Sequence, residues 1–232
     1  MKRRSGAADL AYPVTTLLDQ PGCAFCRRSE QQDAQAAMAF LTEGKYEPDV
    51  RARIGEAGGF CSHHTRLLHR LARRDDLTAN LAEVYEMVIR ALNDDLTAGR
   101  GGGRGRKRAS LLRREGGPCL LCGQLADSEQ RMAGFLAAHL AQSAPGRERY
   151  AAGSGFCLPH LRLLGQRCDA QTLAFLRADA AERLQSVSAR LEHYRLLRDY
   201  RHRDDPRGDE QWADTDATAL LARQRFPESR GR

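Results

Sequence analysis

Two stretches, GFCSHH at Gly59–His64 and GFCLPH at Gly155–His160, carry the same Gly-Phe-Cys-x-x-His phrase 96 residues apart. The offset extends well beyond the phrase. Cys23 and Cys26 recur at the same distance as Cys119 and Cys122, so four cysteine or histidine positions repeat without an insertion between them. Around the phrase, Arg66, Leu67 and Leu68 recur as Arg162, Leu163 and Leu164. Self-similarity at one fixed offset marks an internal duplication. It preserves a set of side chains while the surrounding sequence diverges.

Those side chains have one chemistry in common. PGCAFC and GPCLLC are Cys-x-x-Cys turns beside glycine and proline, which let two thiolates converge on one ion. In CSHH and CLPH a cysteine and a histidine stand three residues apart where a helix begins, so one turn places them side by side. Each half therefore supplies three sulfurs and one nitrogen, the Cys3His set that tetrahedral zinc accepts. The expectation is two zinc ions per chain, one held by Cys23, Cys26, Cys61 and His64 and the other by Cys119, Cys122, Cys157 and His160. The 34 residues between the pairs of each half accommodate a helix and a returning segment.

Other chemistries fit the pattern less completely. An iron–sulfur cluster takes the same ligand types. A redox dithiol would use the Cys-x-x-Cys pairs, but it leaves Cys61/His64 and Cys157/His160 without a role and lacks an accompanying βαβ pattern. Catalytic zinc keeps one position open for water, whereas each half already offers four ligands, so the sites are expected to be closed and structural. His63 could replace His64, but its repeat counterpart is Pro159. His69, His139 and Cys168 also lack duplicated partners and are set aside. No Ser-His-Asp series, phosphate loop or dinucleotide fingerprint is present. No catalytic or organic-cofactor-binding residue is assigned, and the expectation leans away from an enzyme.

The periodicity is helical throughout. Ala34, Ala37, Met38 and Leu41 share one stripe, Leu77, Leu81, Val84, Tyr85, Val88 and Leu92 a second. Leu173, Leu176, Ala180, Leu184, Val187, Leu191 and Tyr194 form a third, with Asp169 placed to cap its start. No alternating strand pattern of useful length occurs. The fold class is all-α, with two pseudo-repeated helical halves, each organised around a Cys3His zinc site. The expected divisions are a flexible N-terminus over 1–14, a first repeat over 15–96 and a Gly/Arg-rich linker over 97–110. A second repeat with a long helix over 111–200 and a tail over 201–232 complete the chain. In the tail, Trp212 and Ala219–Leu221 could dock back as a short helix.

The formal charge of the 232-residue chain is +7, but it is concentrated in one place. Between Ala98 and Arg114 lie Arg100, Arg104, Arg106, Lys107, Arg108, Arg113 and Arg114 with no acidic residue. Removing these seven leaves the remainder formally neutral. Nucleic-acid binding, if present, is thus expected from Arg100, Arg104, Arg106, Lys107 and Arg108 of one short arm. No apolar run approaches the roughly 20 residues that span a bilayer, and no secretory signal is read at the N-terminus. Seven cysteines without an export signal point to a reducing, cytoplasmic setting.

CAFC…GFCSHH followed by CLLC…GFCLPH, a long helix and RDYRHRDDPRGDEQW resembles a bacterial family of uncharacterised proteins with this duplicated motif. The resemblance runs from about Thr15 to Leu221, leaving out the glycine-arginine connector. It implies a cytoplasmic, metal-binding helical protein and carries no established activity. The function expected is that of a zinc-stabilised interaction or regulatory protein with an unidentified protein partner. The alternatives are a metal-dependent redox protein or enzyme and a reversible metal sensor.

Overall fold

The computed structural model describes residues 16, 18–98, 119–198, 201 and 208–221. The expected flexible N-terminus over 1–14 lies outside these residues, as do the basic side chains Arg100–Arg108 of the linker. The described residues are helical, without a strand. We number the helices α1 (Ala24–Thr42), α2 (Pro48–Ala57), α3 (Ser62–Arg74), α4 (Thr78–Ala98), α5 (Leu120–Gln142), α6 (Ala144–Ala152), α7 (Leu158–Gly165), α8 (Ala170–Leu196) and α9 (Ala213–Leu221).

The 96-residue offset is also an offset of helices. α1, α2 and α3 begin at 24, 48 and 62, and α5, α6 and α7 begin at 120, 144 and 158. Their starts follow local chemistry. Pro48, Pro145 and Pro159 stand in first turns, where a missing N–H costs nothing. Asp169 caps α8 by accepting a 2.7 Å hydrogen bond from the Thr172 amide, as its position predicts.

The packing divides the chain into two compact units, and the division does not follow the repeats. One unit joins the segment ending at Glu30 to everything from Glu129 onward; the other spans Gln31–Ser128. The boundaries fall inside α1 and α5. In the first unit, Leu18, Ala24 and Phe25 pack with Met132, Leu136, Leu140, Tyr150, Phe156, Leu164 and Leu176. In the second, Leu120 and Leu121 join Leu41, Ile54, Leu68, Leu71 and Val84. Each repeat thus contributes the first turns of its long helix to the other repeat's core. The apolar residues inside the Cys-x-x-Cys turns, Ala24-Phe25 and Leu120-Leu121, drive the exchange, since all four are buried.

The C-terminal segment folds back within the first unit. Arg190 Nη1 on α8 donates to Asp216 Oδ2 on α9 at 2.7 Å, and Ala213 is fully buried. Trp212 and Leu221 remain exposed at 45% and 57%, so only part of the apolar tail is used for docking.

Candidate metal centres

The repeated phrase builds the same local structure twice. Gly59 and Gly155 have φ of 109° and 71°, in the half of backbone space that side-chain-bearing residues avoid. At Gly155 a Cβ would also lie 2.9 Å from Arg183 Nε. The arginine is held there by donating to the carbonyls of Gly153 and Ala151 at 2.8 and 2.9 Å, and its side chain pairs with Asp179. The phenylalanine then anchors the turn: Phe156 meets Phe25 and Tyr150, and Phe60 meets Phe40, in each case with ring centroids near 5 Å. The cysteine that follows is extended and immediately precedes the helix, Cys61 before α3 and Cys157 before α7. A thiolate at that position faces unpaired amides and the positive end of the helix. The histidine comes one turn later.

The eight candidate ligands converge in two groups of four, each within one compact unit. Cys23, Cys26, Cys157 and His160 form the first centre; Cys61, His64, Cys119 and Cys122 form the second. This corrects the expected pairing. A repeat does not close its own set; the Cys-x-x-Cys of one repeat meets the Cys-x-x-His of the other. The physical reason is the length of α1 and α5. The 19 residues of α1 span about 28 Å at 1.5 Å per residue, and its first turn (Ala24, Phe25) is buried in one core while its Phe40-Leu41 end is buried in the other.

In both centres the histidine points Nδ1 at all three sulfurs. His160 Nδ1 lies 3.5, 3.4 and 3.0 Å from Cys23, Cys26 and Cys157 Sγ. His64 Nδ1 lies 3.2, 3.4 and 3.3 Å from Cys61, Cys119 and Cys122 Sγ. The Cys26–Cys157 and Cys61–Cys122 sulfurs are 3.7 and 3.6 Å apart. A tetrahedron with metal–sulfur bonds of about 2.3 Å and a metal–nitrogen bond of about 2.0 Å has edges of about 3.8 and 3.5 Å. The donor atoms fit one tetrahedral ion.

Both centres hold strongly shifted titrating groups. Burial alone would discharge the imidazoles, yet hydrogen bonding to Asp33, Cys119 and Cys61 pushes His64 up to about 10. Contacts with Cys157, Cys23 and Glu129 likewise push His160 up to about 11. Burial would raise the Cys119 thiol, but His64 outweighs it and draws the group down to about 6. Cys23 is held well below the usual thiol range by Cys157, Cys26 and His160, against the effect of its burial. Cys26 is instead pushed up by Cys157 and Cys23, and Cys122 by burial and Cys61. Each metal-free centre therefore gathers thiolate, thiol and protonated imidazole, and a metal ion binding there would displace the protons of the histidine and the thiol.

Two acidic residues that the motifs do not single out complete the surroundings. His64 Nε2 lies 2.6 Å from Asp33 Oδ1, and His160 Nε2 lies 3.5 Å from Glu129 Oε1. Asp33 and Glu129 are themselves 96 residues apart, seven positions after the second cysteine of each Cys-x-x-Cys. That shared offset is the signal in the sequence that could have found them. His63 Nε2 lies 2.6 Å from the other Asp33 oxygen. Asp33, His63 and His64 have the composition of a third metal group, but their spacing is that of hydrogen bonds. An ion bridging oxygen and nitrogen at about 2.1 Å would hold them about 3.4 Å apart.

Cys168 is partly buried against the first unit's core, and His69 is exposed; neither belongs to a centre. His139 stacks on Phe135 and is likewise outside both.

Fold and centres together define a class: a helical protein in which two repeats exchange Cys-x-x-Cys arms to form two Cys3His groups able to hold metal. The chain belongs to a family of unknown function, DUF6062, whose model matches residues 11–216. Neither the curated proteins nor the solved structures give a match.

Proposed function

We propose that this is a non-enzymatic interaction or regulatory protein in which two structural zinc ions hold a duplicated helical scaffold in one arrangement. The observation that carries the reading is the closed donor set. Each histidine Nδ1 stands within 3.5 Å of three sulfurs, so four protein ligands would fill a tetrahedral ion and leave no position for a substrate or water. The sulfur spacing favours a single ion over a multi-iron cluster, whose ligands are spread over several metals. Zinc in such sites supplies folding free energy and serves no redox chemistry.

Half-exposed Trp212 and the exposed Leu196 and Leu221 support a protein partner as the target of this scaffold. The basic cluster Arg100, Arg104, Arg106, Lys107 and Arg108 supports a subsidiary, electrostatic contact with nucleic acid. Five phosphate contacts would give a salt slope of about −4.5 on duplex DNA, and deleting residues 99–108 should abolish it. The reducing setting implied by seven unpaired cysteines makes the cytoplasm the proposed location.

The test is elemental analysis with an absorption spectrum on protein purified without oxygen. Two zinc atoms per colourless chain support the reading. Visible absorbance with bound iron and inorganic sulfide would replace it with the cluster alternative, and weak, readily reversible metal binding would favour a sensor.

A further inference from the structure

We infer that Asp33 and Glu129 are positioning residues, each carried by the helix whose cysteines serve the other centre and each fixing the histidine ring of the centre it faces. The inference rests on the reading of the two groups as metal centres. α1 places Cys26 in the first centre and Asp33 against His64 of the second. α5 places Cys122 in the second centre and Glu129 against His160 of the first. With Nδ1 committed to the metal, the ring's other nitrogen carries the proton, and a carboxylate accepting that N–H fixes both tautomer and ring plane.

The two carboxylates are braced by residues the duplication does not share. Asp33 is gripped from its second oxygen by His63 at 2.6 Å; the repeat counterpart of His63 is Pro159, which offers no donor. Glu129 instead accepts a 2.6 Å hydrogen bond from Ser29 Oγ, whose counterpart is Leu125. Each acid therefore has its own second partner, in a different chemical form, while its contact with the metal-side histidine is common to both copies. That is the pattern expected when the carboxylate–histidine contact is the retained function and its support has diverged. Asp in one copy and Glu in the other further implies that the acid, rather than its length, is required.

The test uses the full-length, zinc-loaded chain. Metal is withdrawn by competition with a chromophoric chelator while released cysteines are alkylated and identified by peptide mass spectrometry. Asp33→Asn should weaken metal binding 10- to 100-fold, the range for lost outer partners of a ligating histidine. The loss should appear at Cys61, Cys119 and Cys122, while Cys23, Cys26 and Cys157 stay protected. Glu129→Gln should give the reverse pattern. Asp33→Glu, which installs the acid of the other copy, should restore most of the protection, a rescue that a packing role alone would not produce. Circular dichroism confirms that each variant is folded, and if Asp33→Asn is not, the Asp33→Glu and Glu129→Gln results decide. Exposure of the cysteines on the mutated residue's own helix, equal weakening of both centres, or an affinity change well under tenfold in folded variants would overturn the inference. A wild-type chain that binds no metal would instead remove the reading on which it rests.

Discussion

Phe25 lies between the two cysteines of the first Cys-x-x-Cys, and its ring is fully buried. It stacks on His160 with centroids 4.9 Å apart and meets Phe156 edge-on at 5.2 Å. It therefore joins the exchanged arm of α1 to the first centre through packing alone. Replacing it with alanine deletes a buried ring at a cost of about 3–5 kcal/mol. For a chain of 232 residues, each kcal/mol lowers the melting temperature by about 2–4 °C, so Phe25→Ala should melt about 6–20 °C below the parent. Phe25→Leu supplies the residue present at the equivalent Leu121. It keeps most of the apolar volume and loses chiefly the two aromatic contacts, about 0.5–1.5 kcal/mol each, so its melting point should fall by about 2–12 °C, less than that of the alanine variant. Thermal denaturation of the zinc-loaded proteins measures both. The alanine variant should also alkylate faster at Cys23, Cys26 and Cys157 than at the other three ligand cysteines. A melting point within 3 °C of the parent for Phe25→Ala would refute the claim that this ring fastens the exchanged arm.

Gly155→Ala combines a left-handed backbone, costing about 1–2 kcal/mol, with displacement of the Arg183 side chain. Its melting point should drop by at least about 2–8 °C on the same scale, measured by the same melt. The metal-free protein should lose stability toward alkaline pH. His64, ordinarily 6.5 and raised to about 10 in the fold, contributes in full below pH 6.5 and is lost as pH rises through about 10. Cys122, raised by burial and by Cys61 and Cys119 from 9.0 to about 12, acts in the same direction above pH 9. Between pH 6.5 and 9 the opposite shift of Cys119, lowered to about 6, offsets the loss from His64. The chelated chain should therefore melt progressively lower mainly between about pH 9 and 11, while a metal-loaded chain, its ligands committed to the ion, changes much less. If the centres hold ions as proposed, chelation at neutral pH should itself reduce helix content at 222 nm, because each ion would bridge positions 131 or 61 residues apart that the free chain must otherwise bring together at an entropic cost.

The helices and the grouping of eight cysteine and histidine side chains as candidate ligands were legible in the sequence, because both leave periodic marks. Stripes such as Leu77–Leu92 specify helix, and the unbroken 96-residue offset isolates cysteine and histidine from their neighbours. The pairing of the ligands was not legible. Cys26 has an equivalent Cys-x-x-His partner in either half, so spacing fits closure within a repeat and exchange between repeats equally well. The choice is made by where Ala24-Phe25 and Leu120-Leu121 find apolar cover, which is a tertiary matter. Asp33 and Glu129 carry no ligand motif of their own, and in the sequence only the shared 96-residue offset distinguishes them from the other acids of α1 and α5. The two compact units cut through α1 and α5 for the same reason that the ligands cross.

The crossed pairing is tested most directly by removing one histidine and asking which cysteines lose protection. In His160→Ala, differential alkylation of the zinc-loaded chain should expose Cys23, Cys26 and Cys157 and leave Cys61, Cys119 and Cys122 protected. Exposure of Cys119 and Cys122 together with Cys157, with Cys23 and Cys26 still protected, would show that each repeat closes its own site and would contradict the account.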